Sequence, residues 1–199
     1  MNASPVLEPS KSALRGFLGY LIELARIVSI SLAIILPIRY FLVQPFYVKG
    51  ASMEPNFYDH EYLVIDELSY RLHEPARGDI IVFRYPRNPR QFFIKRVIGL
   101  PGETVIIGSG RVKIIDDDHP GGMLLDESAY LASGTISAGE RRVTLNGNEY
   151  YLMGDNRNQS LDSRIFGPVN RSFIIGRAWL RGWPIDKVGT FKTPDYDIP

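Results

Sequence analysis

The stretch GFLGYLIELARIVSISLAIILPIRYFLV, residues 16–43, constrains this chain most, because so much apolar surface in one run must be kept from water. Three charges interrupt it: Glu23, Arg26 and Arg39. The longest uncharged run, 27–38, is too short alone to span a bilayer. Extended back to Phe17 it is long enough, with Glu23 and Arg26 three apart on one helix face, where they can pair. Arg39 lies near one end and can snorkel to the headgroups. Tyr40, Phe41, Phe46 and Tyr47 resemble an interfacial aromatic belt. A buried soluble helix is the competing reading. A cleaved targeting peptide would need a small-x-small site soon after the apolar core, and none precedes Gly50-Ala51-Ser52. The expectation is an uncleaved transmembrane anchor over 16–43 behind a flexible polar tail, 1–15. Lys11 and Arg15 precede the anchor and favour a cytoplasmic amino end, against the opposing pull of Arg39 and Lys49. The rest of the chain then faces the outer side of the membrane.

Beyond Pro45 the pattern changes to short apolar segments rich in β-branched and aromatic residues, at 61–68, 78–85, 91–100, 103–108, 111–115, 141–145, 149–154 and 173–183. Pro-Gly, Asn-Gly, Ser-Gly and Gly-Gly pairs punctuate them. Only 69–74, SYRLHE, suggests a helix. The expected fold of 44–199 is therefore all-β, a short-stranded barrel or sandwich, with 116–140 as an irregular excursion. The chain of 199 residues has no cysteine, which removes disulfides, thiolate zinc sites and cysteine nucleophiles together. Its formal net charge of +1 implies no bulk attraction to nucleic acid.

Three kinds of chemistry compete. A Ser-His-Asp triad would need one of His60, His73 or His119 beside a serine, and GASME around Ser52 lacks the second glycine of a nucleophile elbow. A metal site at DDDH, 116–119, lacks the ligand spacing of a calcium loop and reads as a solvated turn. The third candidate is a serine with a lysine base. In the strand QFFIKRVIG, Phe93, Lys95 and Val97 share one face, and Ile94, Arg96 and Ile98 the other. An ammonium in apolar company loses hydration, its pKa falls, and it becomes able to take a proton. Alternation alone fits a lysine on a strand rim equally well, since buried lysines are rare. The loop GDNRNQSLDSRIFG, 154–167, carries dense hydrogen-bonding capacity, with Asp162 and Arg164 placed to pair across an extended chain and Asp155 in a turn.

Four blocks in order, GASMEP (50–55), RGDIIVF (77–83), IKRVIGLPGE (94–103) and GDNRNQSLDSRIFG (154–167), with the apolar segment before them, resemble the type I signal peptidases, membrane-anchored serine proteases with a Ser-Lys dyad. The resemblance covers the chain beyond Val43. It implies Ser52 as nucleophile, Lys95 as general base and Ser160 as the hydroxyl that orients the Lys95 amine. Asp155, Asp162 and Arg164 would support the site, and the Ser52 N–H would form part of the oxyanion hole. Gly50 stands where some members carry a serine hydroxyl as second oxyanion donor, so that donor is unassigned. The implied substrate pocket uses Phe46, Val48, Met53, Phe57, Phe93 and Ile94. The implied reaction is removal of signal peptides from exported precursors after small-x-small, Ala-x-Ala above all, with the peptide held as an added strand. The implied partners are those precursors and the lipid bilayer, with no nucleic acid, metal or cofactor; no oligomeric state is implied. Two rivals remain. A self-cleaving repressor-type peptidase shares the dyad but would carry a DNA-binding helical domain in front. A catalytically inactive, membrane-anchored peptide-binding module is the other.

Overall fold

The computed structural model describes residues 11–41, 43–194 and 196. Two compact units emerge, Met1–Leu42 and Val43–Pro199. The first ten residues of the expected tail lie outside the described residues, as do the side chains of Arg39, Tyr40 and Phe41.

Among the described residues the first unit is one helix, α1, Lys11–Phe41. It starts inside the stretch read as a tail, because Lys-Ser-Ala-Leu-Arg contains no residue that opposes helix. Within it Gly16–Leu36 is 21 residues long with a mean hydropathy of 1.9, enough by length and composition to cross a bilayer. Its large apolar side chains, among them Phe17, Ile22, Ile30 and Leu36, are exposed. A lipid environment satisfies such a surface; water does not. Pro45 biases Gln44 toward extended backbone, so the chain past the helix enters a strand.

The second unit is built from twelve strands among the described residues: β1 Val43–Tyr47, β2 Tyr62–Asp66, β3 Ile80–Arg84, β4 Phe92–Gly99, β5 Thr104–Gly108, β6 Arg111–Ile115, β7 Met123–Leu124, β8 Arg141–Thr144, β9 Glu149–Met153, β10 Val169–Asn170, β11 Ile174–Trp183 and β12 Gly189–Thr190. The larger sheet runs β1-β2-β11-β3-β4-β9-β10, with β12 on β11; the smaller runs β7-β6-β5-β8. All pairs are antiparallel. Pro45 has no amide hydrogen for a ladder, and β1 is an edge strand, where that loss is tolerated. The β5–β6 hairpin turns on Ser109-Gly110, both at positive φ (50° and 78°), the conformation a two-residue hairpin turn demands.

Period-two alternation sorts β3 between two cores. Ile80 and Val82 join Val48, Met53, Phe57, Leu63, Ile65 and Ala178. Ile81 and Phe83 join Tyr70, Val97, Tyr150, Leu152, Val169 and Ile174. A third core joins Ile98, Tyr151 and Met153 of the larger sheet to Val105, Ile107, Val112 and Ile114 of the smaller. The larger sheet is thus covered on both faces, which is why its central strands read as near-continuous apolar runs. The segment 116–140 contributes the two-residue β7 and a series of turns. Ile98→Ala, at the junction of the two sheets, should lower unfolding free energy by about 2–5 kcal/mol, read from urea denaturation in detergent.

Candidate active site

Ser52 sits in a compact turn between β1 and β2. Glu54 N–H donates to the Ala51 carbonyl (3.2 Å), and Asn56 and Phe57 N–H to that of Met53 (3.0 and 2.9 Å). The turn is pegged from below by Met53 and Phe57, both fully buried, with the Phe57 ring 4.4 Å from that of Phe191. Gly50, at φ +92°, adopts a backbone shape that side chains disfavour, and its N–H donates to Asp59 Oδ1 (2.9 Å). On the other flank, Asn156 N–H donates to the Ser52 carbonyl and its Nδ2 to the Ala51 carbonyl, each at 3.1 Å. The Ser52 N–H has no acceptor among the described residues.

Lys95 lies mid-strand in β4, opposite Ile81 of β3. Phe93 and Val97 flank it and pack into the same core as Ile81. It is 3% exposed. Its Nζ donates to Ser52 Oγ at 2.7 Å and to the Ile94 carbonyl at 2.7 Å, and lies 5.4 Å from the centre of the Phe93 ring. Burial pushes this amine down to about 8, against the upward pull of the Asp162 and Asp155 carboxylates.

Each of those carboxylates has its own arginine. Arg96, next in chain to Lys95, grips Asp155 by two bonds (2.8 and 2.7 Å), both groups buried. Arg164 grips Asp162 likewise (2.9 and 2.9 Å). Asp162 also caps the one-turn helix α2, Ser163–Phe166, and accepts the Gly154 N–H (3.0 Å). Burial alone would raise the Asp162 carboxyl, but Arg164 and the Gly154 N–H hold it below the usual carboxylate range. Arg77 and Glu103, from the second and third blocks, form a buried pair that also ties the Ile98 carbonyl and Leu100 N–H. No hydrogen bond joins a histidine to Ser52 among the described residues: His60 pairs with Asp59 and His119 with Asp116, each at 2.9 Å.

The resemblance implies Ser160 as a hydroxyl on the Lys95 amine, and no hydrogen bond joins the two among the described residues. The Ser160 Oγ is buried without a hydrogen-bond partner, packed against Gly154 near the Ser52 carbonyl, and its influence falls on the Asp162 carboxyl. The Ile94 carbonyl, from the neighbouring residue of the same strand, accepts from the amine beside Ser52 Oγ. A cleft of about 280 Å³ opens beside the dyad. Of the residues the resemblance implies for a pocket, Phe46, Val48, Phe93 and Ile94 line it, together with Leu63, Val82 and Leu161. Met53 and Phe57 are not among its lining residues; their side chains turn into the core beneath the turn that carries Ser52. Asn156 and Asp59 hydrogen-bond to the backbone around Ser52, and sequence reasoning missed both. The density of polar residues around 154–160 pointed to the first, and no local signal marks the second.

The family described as "Signal peptidase, peptidase S26" matches residues 21–183. A protein named Probable signal peptidase I-2 from Synechocystis sp. is 36% identical over 173 residues, 84% of this chain and 76% of its own. Signal peptidase I of Leptolyngbya laminosa is 37% identical over 181 residues, 87% of this chain and 85% of its own. Signal peptidase I of Pseudomonas aeruginosa is 30% identical over 203 residues, 79% of this chain and 71% of its own.

The lowered amine carries a stability consequence. Between about 8 and 10.5 the unfolded chain holds a proton that folded Lys95 has shed. Native stability therefore rises with pH across that window, and below it the cost of burying the charge is carried in full. Lys95→Met should melt higher than the native protein at about pH 7, with the gap closing toward about pH 10. Thermal denaturation across pH reads this directly.

Proposed function

The chain belongs to the signal peptidase family, peptidase S26, and from that membership we propose that Ser52 and Lys95 form the dyad by which it removes signal peptides from exported precursors. It is a serine endopeptidase. The observation that carries the dyad is the 2.7 Å contact between Lys95 Nζ and Ser52 Oγ, with the amine shut off from solvent.

In the neutral form Lys95 Nζ accepts the Ser52 hydroxyl proton as Oγ attacks the scissile carbonyl. The oxyanion forms against the Ser52 N–H, which has no competing acceptor among the described residues. Gly50 commits its own N–H to Asp59 and so does not serve as second donor. The Lys95 ammonium then protonates the leaving amine, leaving an acyl-enzyme on Ser52. Water, deprotonated by the regenerated amine, releases the acyl group and restores the hydroxyl. An ammonium has three donors. Ser52 Oγ and the Ile94 carbonyl take two. Ser160, whose hydroxyl is free, is the third acceptor in this reading, engaged while Lys95 carries the proton. Arginine could not replace Lys95, because guanidinium stays charged.

The cleft supports the substrate reading. Its apolar walls at Val48, Leu63, Val82 and Ile94 suit small apolar side chains of an extended peptide. The β1 edge offers unpaired backbone groups to an extended peptide. Helix α1 anchors the enzyme in the bilayer where precursors emerge, with its amino end cytoplasmic and the β-domain outside.

With the detergent-solubilised protein and an Ala-x-Ala precursor, Ser52→Ala and Lys95→Ala should both lose cleavage. The native rate should climb as pH rises through about 8, where the amine sheds its proton. Near-native turnover by either variant, or a rate flat across that range, would remove the dyad. Orientation has its own test. The chain lacks cysteine, so Ser133→Cys in the exposed 131–135 loop gives a single label site. An impermeant maleimide should label it in intact cells; labelling only after lysis would reverse the orientation.

A further inference from the structure

The segment 116–140 contributes nothing to the dyad, yet its side chains brace both halves of it from behind. The Arg157 guanidinium is fully buried. It donates to both oxygens of Glu127 (2.9 and 2.5 Å), to the Ser137 hydroxyl and to the Gly154 carbonyl (3.0 Å). Tyr130 donates its hydroxyl to Glu127 (2.8 Å). The Tyr130 ring covers the Arg96 guanidinium at 4.0 Å, and its carbonyl accepts from Asn56 Nδ2 (2.7 Å), which also reaches Asp155 (2.8 Å). These contacts fall on chosen places. Arg157 follows Asn156, which holds the Ala51 and Ser52 carbonyls; Arg96 follows Lys95; Asn56 belongs to the Ser52 turn.

We propose that residues 127–137 are a strap, and that Glu127 is a positioning residue that sets the Ser52 turn against Lys95 through Arg157 and Asn156. This rests on the dyad reading above. A buried guanidinium must be paired, and Glu127 is the carboxylate bonded to it. The conformation of 154–157 is therefore conditional on the strap. Without Glu127, Arg157 turns toward water and draws Asn156 away from the Ser52 carbonyl. A buried pair that only stabilised the fold would change melting and leave the chemistry intact. A positioning pair changes the rate, because a displacement of about 1 Å between reacting groups costs on the order of a hundredfold. It also changes the hydration of Lys95, which faces Asp162 and Asp155 within its pocket.

The test uses the full-length protein in detergent and compares Glu127→Gln, Tyr130→Phe, Ser52→Ala and Lys95→Ala for melting temperature, kcat, KM and pH profile. Glu127→Gln should keep KM within about threefold and lose kcat by about ten- to a hundredfold. The acid limb of its kcat/KM profile should move to higher pH as the loosened amine rehydrates. A lower melting temperature with unchanged kcat and unchanged acid limb would overturn the strap. If Glu127→Gln fails to fold, Tyr130→Phe decides, since it deletes only the hydroxyl that steadies Glu127: a smaller kcat loss with the same pH shift supports the strap, and native kinetics overturn it. The dyad variants separate the two readings. Turnover by Ser52→Ala or Lys95→Ala would mean the dyad has failed, whereas dead dyad variants beside a native-like Glu127→Gln and Tyr130→Phe would mean only the strap has.

Discussion

The site depends on one amine held out of water. Lys95 sits in a central strand among Phe93, Val97 and Ile81, and burial brings its pKa down to about 8. Two carboxylates nearby work the other way. Left unpaired, Asp155 and Asp162 would stabilise the ammonium and restore its ordinary basicity. Each is bound at both oxygens by an arginine, Arg96 and Arg164. Those ion pairs are poor evidence for stability, because desolvating four charged groups offsets much of their attraction. They make better sense as a way of keeping negative charge, needed to shape the loop, from titrating the base.

The same contact explains the order of the four sequence blocks. Residue 52 lies in a turn, 95 in a strand and 154–164 in a loop, and none can hold its geometry alone. Arg77 and Glu103 join the second block to the third, Arg96 and Asp155 the third to the fourth, and Asn156 the fourth to the first. Asp59 fixes Gly50 from the opposite side.

Much of this was legible in the chain. Richness in β-branched and aromatic residues located the long strands within a residue or two at each end, since a sheet covered on both faces leaves a near-continuous apolar run in its central strands. Alternation placed Lys95 on one face with Phe93 and Val97. The short edge elements β1, β10 and β12 left no such imprint, because a few pairings at a sheet margin bury too little to demand apolar residues. Met53 and Phe57 were carried to the pocket from the family's matching positions, and no residue-type argument tells the upper side of the Ser52 turn from the lower, where both side chains lie in the core. Ser160 was assigned to the amine by resemblance, whereas the Ile94 carbonyl that accepts from it is invisible to any residue-type argument. The links from 116–140 to the site were hidden for a plainer reason: Glu127 and Arg157 are thirty positions apart, and neither carries a local pattern that names the other.

Gly154 shows how tightly these parts are fitted. A Cβ there would collide with the Ser160 side chain and with the Ser52 carbonyl. That carbonyl is the one Asn156 holds, and Gly154's own N–H and C=O are taken by Asp162 and Arg157. Any side chain at 154 must therefore push the loop away from the nucleophile turn or push the turn away from Lys95. The absence of a single carbon lets the backbone of the fourth block approach the first closely enough for Ser52 to meet its base. The glycine thus acts on reactivity through distance, while conformational freedom plays no part, since its φ is not in the left-handed region.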